Sequence, residues 1–164
     1  MDVVGPPGTS LTSSRMARSD RSALVALATS VVDAFSAGDW DRVRAEIADD
    51  LEFTTTGTAA EFHDADAFVA HLQRVRAALP DLRCEVLETT TSGTLAILNI
   101  RWTATHAGTL HTSIGDIPPS GRIVNATSRW LFRENHGRLS NIRALDTLGL
   151  LGQFGRPDQE QSTP

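Results

Sequence analysis

Lysine and tyrosine are both missing from this 164-residue chain, and all 15 of its basic residues are arginines. Without a side-chain amine, covalent catalysis through a Schiff base is excluded. Without a phenol, no tyrosine can act as the acid of a small pocket. Cys84 is the only cysteine, which rules out an internal disulfide and a thiolate metal cage and leaves a buried structural thiol as the expectation. No stretch approaches the roughly 20 apolar residues of a membrane span, and the N-terminus has no continuous apolar signal segment, so a cytoplasmic protein is expected. The positive excess that nucleic acid or an anionic membrane attracts is also absent, since the net charge is −5. The expected partner is a small molecule or another copy of the chain.

What is present is the composition of an ordinary globular domain, with 40% hydrophobic and 21% charged residues. The length suits one domain with a core of its own. Met1 to Asp20 is rich in Gly, Pro, Ser and Thr without a period, and is expected to be a disordered leader over residues 1–20, with Met16 a second candidate start. Residues 156–164 form a polar tail of the same kind, which leaves 21–155 as the domain.

From Ser22, residues Leu24, Leu27, Val31, Val32 and Phe35 share one helical face, and Gly38 supplies a stop. "WDRVRAEIADDLEF" continues as a short helix and a strand near Leu51 to Thr55, and "DADAFVAHLQRVRAALP" is a third helix with Asp64 as N-cap and Pro80 as terminator. After Pro80 the period changes to two. "LRCEVLETTTSG", "TLAILNIRWTATHAG", "GRIVNATSRWLFRENHG" and "RLSNIRALD" read as four strands of an antiparallel meander. Helices first and strands afterwards predict an α+β fold with the helices packed on one face of a curved sheet. The open end of such a cone is a concave apolar pocket.

Near the end of the chain, "IPPSGR" stiffens a turn. Pro118 and Pro119 fix two φ angles, Ile117 is held extended, and Gly121 can take the positive φ of a tight return. The turn reads either as a plain connection or as a lip whose Ile117 caps the pocket. Asp146, ahead of "TLGLL", reads as the N-cap of a C-terminal helix, worth about 1 kcal/mol. His106 ends the longest strand pattern on the side of Ile100, Trp102 and Ala104, and Asn99, Arg101 and Thr103 form the opposite set. The alternation alone leaves open which set faces the pocket. Trp40, Trp102 and Trp130 read as core, with Trp102 also suited to stack on a planar aromatic ligand. His71 is expected on the solvated side of the third helix and His63 at the pocket rim. His106 and His111, five residues apart across a glycine, lack a metal-ligand geometry, and no metal is expected.

Three stretches, "AGDWDRVRAEIADDLEF", "ALPDLRCEV" and "IPPSGRIV", the last followed by "DTLGLLGQFG", resemble the SnoaL-like polyketide cyclases, a branch of the nuclear-transport-factor-2-like fold. The resemblance runs from about Ser22 to Gly155. It implies a cone of three N-terminal helices on a curved antiparallel sheet with a short C-terminal helix, assembled as a homodimer or homotetramer. It also implies a cofactor-independent, intramolecular aldol-type ring closure of a polyketide-like substrate, with Asp146 as general acid/base. His106 and Arg101 are then the assisting candidates, His106 because "TATHAG" resembles the run after the long strand in relatives, with His111 behind them. Asn99, Trp102, Ile117, His63 and Phe53 are the substrate-binding candidates, Phe53 standing near where many relatives carry a histidine. Relatives of the fold also include hydroxylases, epoxide hydrolases and isomerases, and a non-catalytic ligand-binding or dimerising module is the reading from another class.

Overall fold

The four period-two runs after Pro80 become the four long strands of a six-stranded sheet, and the three helical patterns before it become three helices. The computed structural model describes residues 7–55, 61–112 and 115–145, with side chains of the first helix from Arg18 onward. The helices are α1 (Pro7–Ala37), α2 (Trp40–Glu46) and α3 (Ala65–Ala78). The strands are β1 (Ile47–Thr55), β2 (Glu61–Phe62), β3 (Arg83–Ser92), β4 (Leu95–Thr105), β5 (Leu110–Thr112), β6 (Gly115–Ile117), β7 (Ile123–Asn135) and β8 (Arg138–Leu145). The C-terminal helix expected after Asp146, the tail from Arg156 and the first residues of the leader lie outside the described residues.

Local signals set the boundaries. Gly38 takes φ +74° and closes α1 by donating its N–H to Phe35 O at 3.1 Å. Asp39 caps α2 through the Arg42 N–H, and Asp64 caps α3 through the Ala67 N–H at 2.7 Å. β7 and β8 join through His136 and Gly137, both at positive φ, the geometry of a type I′ hairpin.

Two features differ from the sequence expectation. The helix starts at Pro7 rather than near Ser22, because no proline or glycine interrupts residues 9–37. Arg18 to Ala23 carry no apolar stripe and are exposed, and burial begins at Leu24. The sheet is mixed rather than wholly antiparallel. Its order is β2-β1-β8-β7-β4-β3, and β1 runs parallel to β8, with Phe53 opposite Ile142. No hairpin ties β1 to the meander. α3 carries the chain from β1 and β2 to β3 at the opposite edge, so the tight-turn chemistry that dictates antiparallel pairing never acts on β1.

Register shifts that place extra residues in β1, β3 and β8 bend the sheet around the helices. Its concave face and the helices bury one continuous core that includes Val31, Phe35, Phe53, Phe68, Leu72, Leu98, Phe132 and Ile142. Packed this way, α1 and α3 leave the inner faces of β4, β7 and β8 as the walls of an apolar, aromatic interior.

Candidate active site

Strict alternation decides what the interior contains. Along β4 the buried residues are Ala96, Leu98, Ile100, Trp102 and Ala104, and along β7 they are Val124, Ala126, Ser128, Trp130 and Phe132. Aromatic rings meet across this face. Phe35 of α1 lies edge-on to Trp102, with centroids 5.6 Å apart, and Trp130 is 6.0 Å from both Trp102 and Phe53. Phe53 continues the array to Phe68 at 4.8 Å and to His71, which lies 4.9 Å from half-buried Phe62. The array therefore runs from the middle of the sheet to the edge formed by β2 and α3.

Polar atoms inside this wall are few and specific. Ser128 is 3% exposed, and its hydroxyl accepts the Trp102 indole N–H at 2.7 Å. Ala126 stands directly opposite Trp102 in the β-ladder, and its small side chain leaves the indole room to reach diagonally to Ser128. Trp130 is 4% exposed, and its indole N–H has no hydrogen-bond partner among the described residues. β8 ends at the same level, because Ala144 pairs with Trp130 and Leu145 with Arg129.

His71 belongs to the same wall. Burial, followed by the nearby Arg74 charge, lowers its pKa from 6.5 to about 4. The ring is neutral at physiological pH, in place of the solvated histidine expected there. Helical spacing carries the signal, since His71 falls three residues after Phe68 and one before Leu72 and so shares their buried face.

A second constellation forms where β4 ends. His106 is fully buried, and its Nδ1 lies 3.0 Å from Ser120 Oγ. Its N–H donates to Arg122 O and its carbonyl accepts from Gly121 N, each at 2.9 Å. Gly121 holds φ +69°, which an L side chain adopts only with strain. The "IPPSGR" turn is thus a clasp around His106, and it sets Ile117 buried against Leu110 across the β5–β6 pair. The Ala107 and Gly108 amides both reach Ala78 O at 3.0 Å and cap α3. The Thr105 N–H and hydroxyl hold both oxygens of Asp81, at 2.7 and 2.8 Å, and in that order lower its pKa.

Of the residues expected at the site, Phe53 and Trp102 meet in the aromatic array through Trp130, whereas His106 is held by Ser120, Gly121 and Arg122 of the clasp and Ile117 pairs with Leu110. Asp146 lies outside the described residues. The β4 face left open by the sequence is settled in favour of Trp102. Asn99 and Arg101 therefore stand on the outer face, where the Asn99 amide donates to Glu88 at 3.1 Å and Arg101 lies 3.5 Å from Glu85. His63 is exposed and 3.1 Å from Glu61, and His111 is exposed and 2.9 Å from Asp116. Burial pushes the pKa of the half-buried Cys84 thiol up to about 12, which disfavours the thiolate. Among the described residues, no three His, Cys, Asp or Glu side chains group as metal ligands, and no helix is long and apolar enough to cross a membrane.

Comparison with known proteins agrees with this architecture. No curated protein shows a significant match. Among solved structures, the chain is similar to one assigned as a SnoaL-like polyketide cyclase from Jannaschia sp. CCS1, at 19% identity and a TM-score of 0.72, covering 83% of this chain and 94% of the other. It is also similar to IdmH from Streptomyces antibioticus, assigned as a polyketide cyclase, at 25% identity and a TM-score of 0.64, over 80% and 98% of the two chains. AclR from Streptomyces galilaeus, assigned as a hydroxylase, matches at 24% identity and a TM-score of 0.64, over 79% and 93%. The sequence profile of the SnoaL-like polyketide cyclases spans residues 25–154, from the first buried turns of α1 to beyond β8, and the chain belongs to that family.

Proposed function

We propose that the chain closes a ring of a polyketide-like substrate by an intramolecular aldol-type reaction, without a cofactor, and that Asp146 transfers the proton. The observation that carries this reading is the polar island of Trp102, Ser128 and Trp130 inside aromatic walls, at the level where β8 ends and the chain continues to Asp146. Planar, oxygen-rich ligands suit such a wall, because ring faces meet the rings of Phe35, Phe53 and Trp130 while oxygens need donors.

In the proposed reaction, a carbon between two carbonyl groups gives its proton to the Asp146 carboxylate. The resulting enolate carbon attacks a ketone carbon of the same molecule. As the new carbon–carbon bond forms, the ketone π pair moves onto its oxygen, and the carboxyl returns the proton there. Atoms and charge balance without an outside reactant. The fold contributes by holding the two carbons together, and a desolvated carboxylate is a stronger base than one in water. His106, fixed by Ser120 and the clasp, is the proposed partner that helps orient the reacting end.

The test is to give wild-type protein and Asp146→Asn a panel of unclosed polyketide esters, following turnover and binding separately. A fall in turnover of about 100-fold or more with binding intact is expected of a lost general base. Equal turnover by the two proteins would remove Asp146 from the reaction, and no turnover by wild type would remove the reaction itself.

A further inference from the structure

Most buried polar atoms in folded proteins find a hydrogen-bond partner, and a buried donor without one costs about 1–3 kcal/mol. Among the described residues, the indole N–H of Trp130 is such a donor. Indole nitrogen can only donate, so what it lacks is an oxygen acceptor. Its neighbour two residues along the same inward face is Ser128, whose hydroxyl accepts from Trp102 and has no other side-chain hydrogen bond among the described residues. A hydroxyl that accepts one hydrogen bond becomes a better donor through the other end. Among the described residues, two donors without acceptors thus stand two positions apart on the inner face of β7, beside the rings of Phe35, Phe53 and Trp102.

We propose that Trp130 and Ser128 form an oxygen-recognition site for the ligand, in which the Trp130 N–H donates to a carbonyl or phenolic oxygen of an arene-fused ketone and the Ser128 hydroxyl serves as second donor. This rests on the ring-closure reading only for the ligand's class. The site selects ligands by oxygen placement, whereas the surrounding rings select by shape. Phenylalanine at position 130 would keep the packing and lose the recognition.

The test uses 1-tetralone and its oxygen-free counterpart tetralin as probes. With three tryptophans in the chain, the indole N–H region of a nitrogen-15 correlation spectrum holds three signals, assigned by single Trp→Phe variants. 1-Tetralone is expected to move the Trp130 signal downfield, as a new hydrogen bond does, and tetralin is not. By calorimetry, Trp130→Phe is expected to weaken 1-tetralone about fivefold, the range of one neutral hydrogen bond, and tetralin less than about twofold. Ser128→Ala should lower 1-tetralone affinity by a smaller factor of the same sign.

Equal shifts or equal losses for the two probes, or no binding of 1-tetralone, would overturn the site. A selective response to 1-tetralone supports it even if polyketide esters are not turned over, in which case the reaction assigned above fails alone.

Discussion

On the inner face of β4 and β7, Trp102, Ser128 and Trp130 sit among aromatic walls, whereas on the outer face of the same strands Asn99, Arg101 and Arg129 pair with one another and with Glu85 and Glu88 in water. The backbone is shared, so the contrast isolates what burial does to a polar group. Outside, each lost contact is replaced by solvent and charges interact weakly. Inside, each donor must find a protein or ligand acceptor, and a single unmet one is expensive. The face with fewer polar atoms is therefore the one on which each of them matters.

The sharpest way to break this contrast is to remove an inner ring. Phe53 touches Phe62, Phe68, His71 and Trp130, so Phe53→Ala should cost about 3–5 kcal/mol in urea denaturation. A loss below about 1 kcal/mol would mean that the inner wall is not a packed structure.

The next effect is on pH. His71 has a folded pKa near 4, below the ordinary value of 6.5. Between these values the unfolded chain binds the extra proton, so stability is complete above about pH 6.5 and falls as the pH drops toward 4. The full loss is at most about 3 kcal/mol. His71→Phe should flatten this part of the stability profile, and an unchanged slope would place the ring in water.

Ser128→Ala comes third. It deprives the buried Trp102 N–H of its acceptor and should cost about 1–3 kcal/mol in the free protein. A neutral result would mean that Trp102 finds another acceptor and that the island is not under constraint.

Much of the fold was legible because its signals are local. Gly38, Asp64 and the Asn-His-Gly turn act within a few residues, and period two marked β3, β4, β7 and β8. The parallel pairing of β1 with β8 was not legible, since it depends on where α3 delivers the chain rather than on any residue in β1. The site was harder. Alternation divided β4 into two sets but carries no sign, and only packing against Phe35 shows that Trp102 faces inward. Trp130 read as core and Ser128 drew no notice, because what they do depends on partners on other elements. His71 was hidden by composition, for a histidine near two arginines reads as solvated until its spacing from Phe68 is weighed.

The smallest effect is predicted for the outer face. Arg101 faces Glu85 at 3.5 Å with its side chain 46% exposed, the setting in which ion pairs contribute from about zero to 1 kcal/mol. Arg101→Ala should change stability by less than about 0.5 kcal/mol, an effect reduced further by salt. It should also leave turnover of any accepted polyketide ester within about twofold, because the sheet stands between its guanidinium and the interior. The same substitution would damage catalysis if Arg101 oriented the reacting carboxylate or a substrate oxygen. A loss of turnover of tenfold or more with stability unchanged would therefore bring the outer face into the reaction, and the division of labour between the two faces of β4 would have to be abandoned.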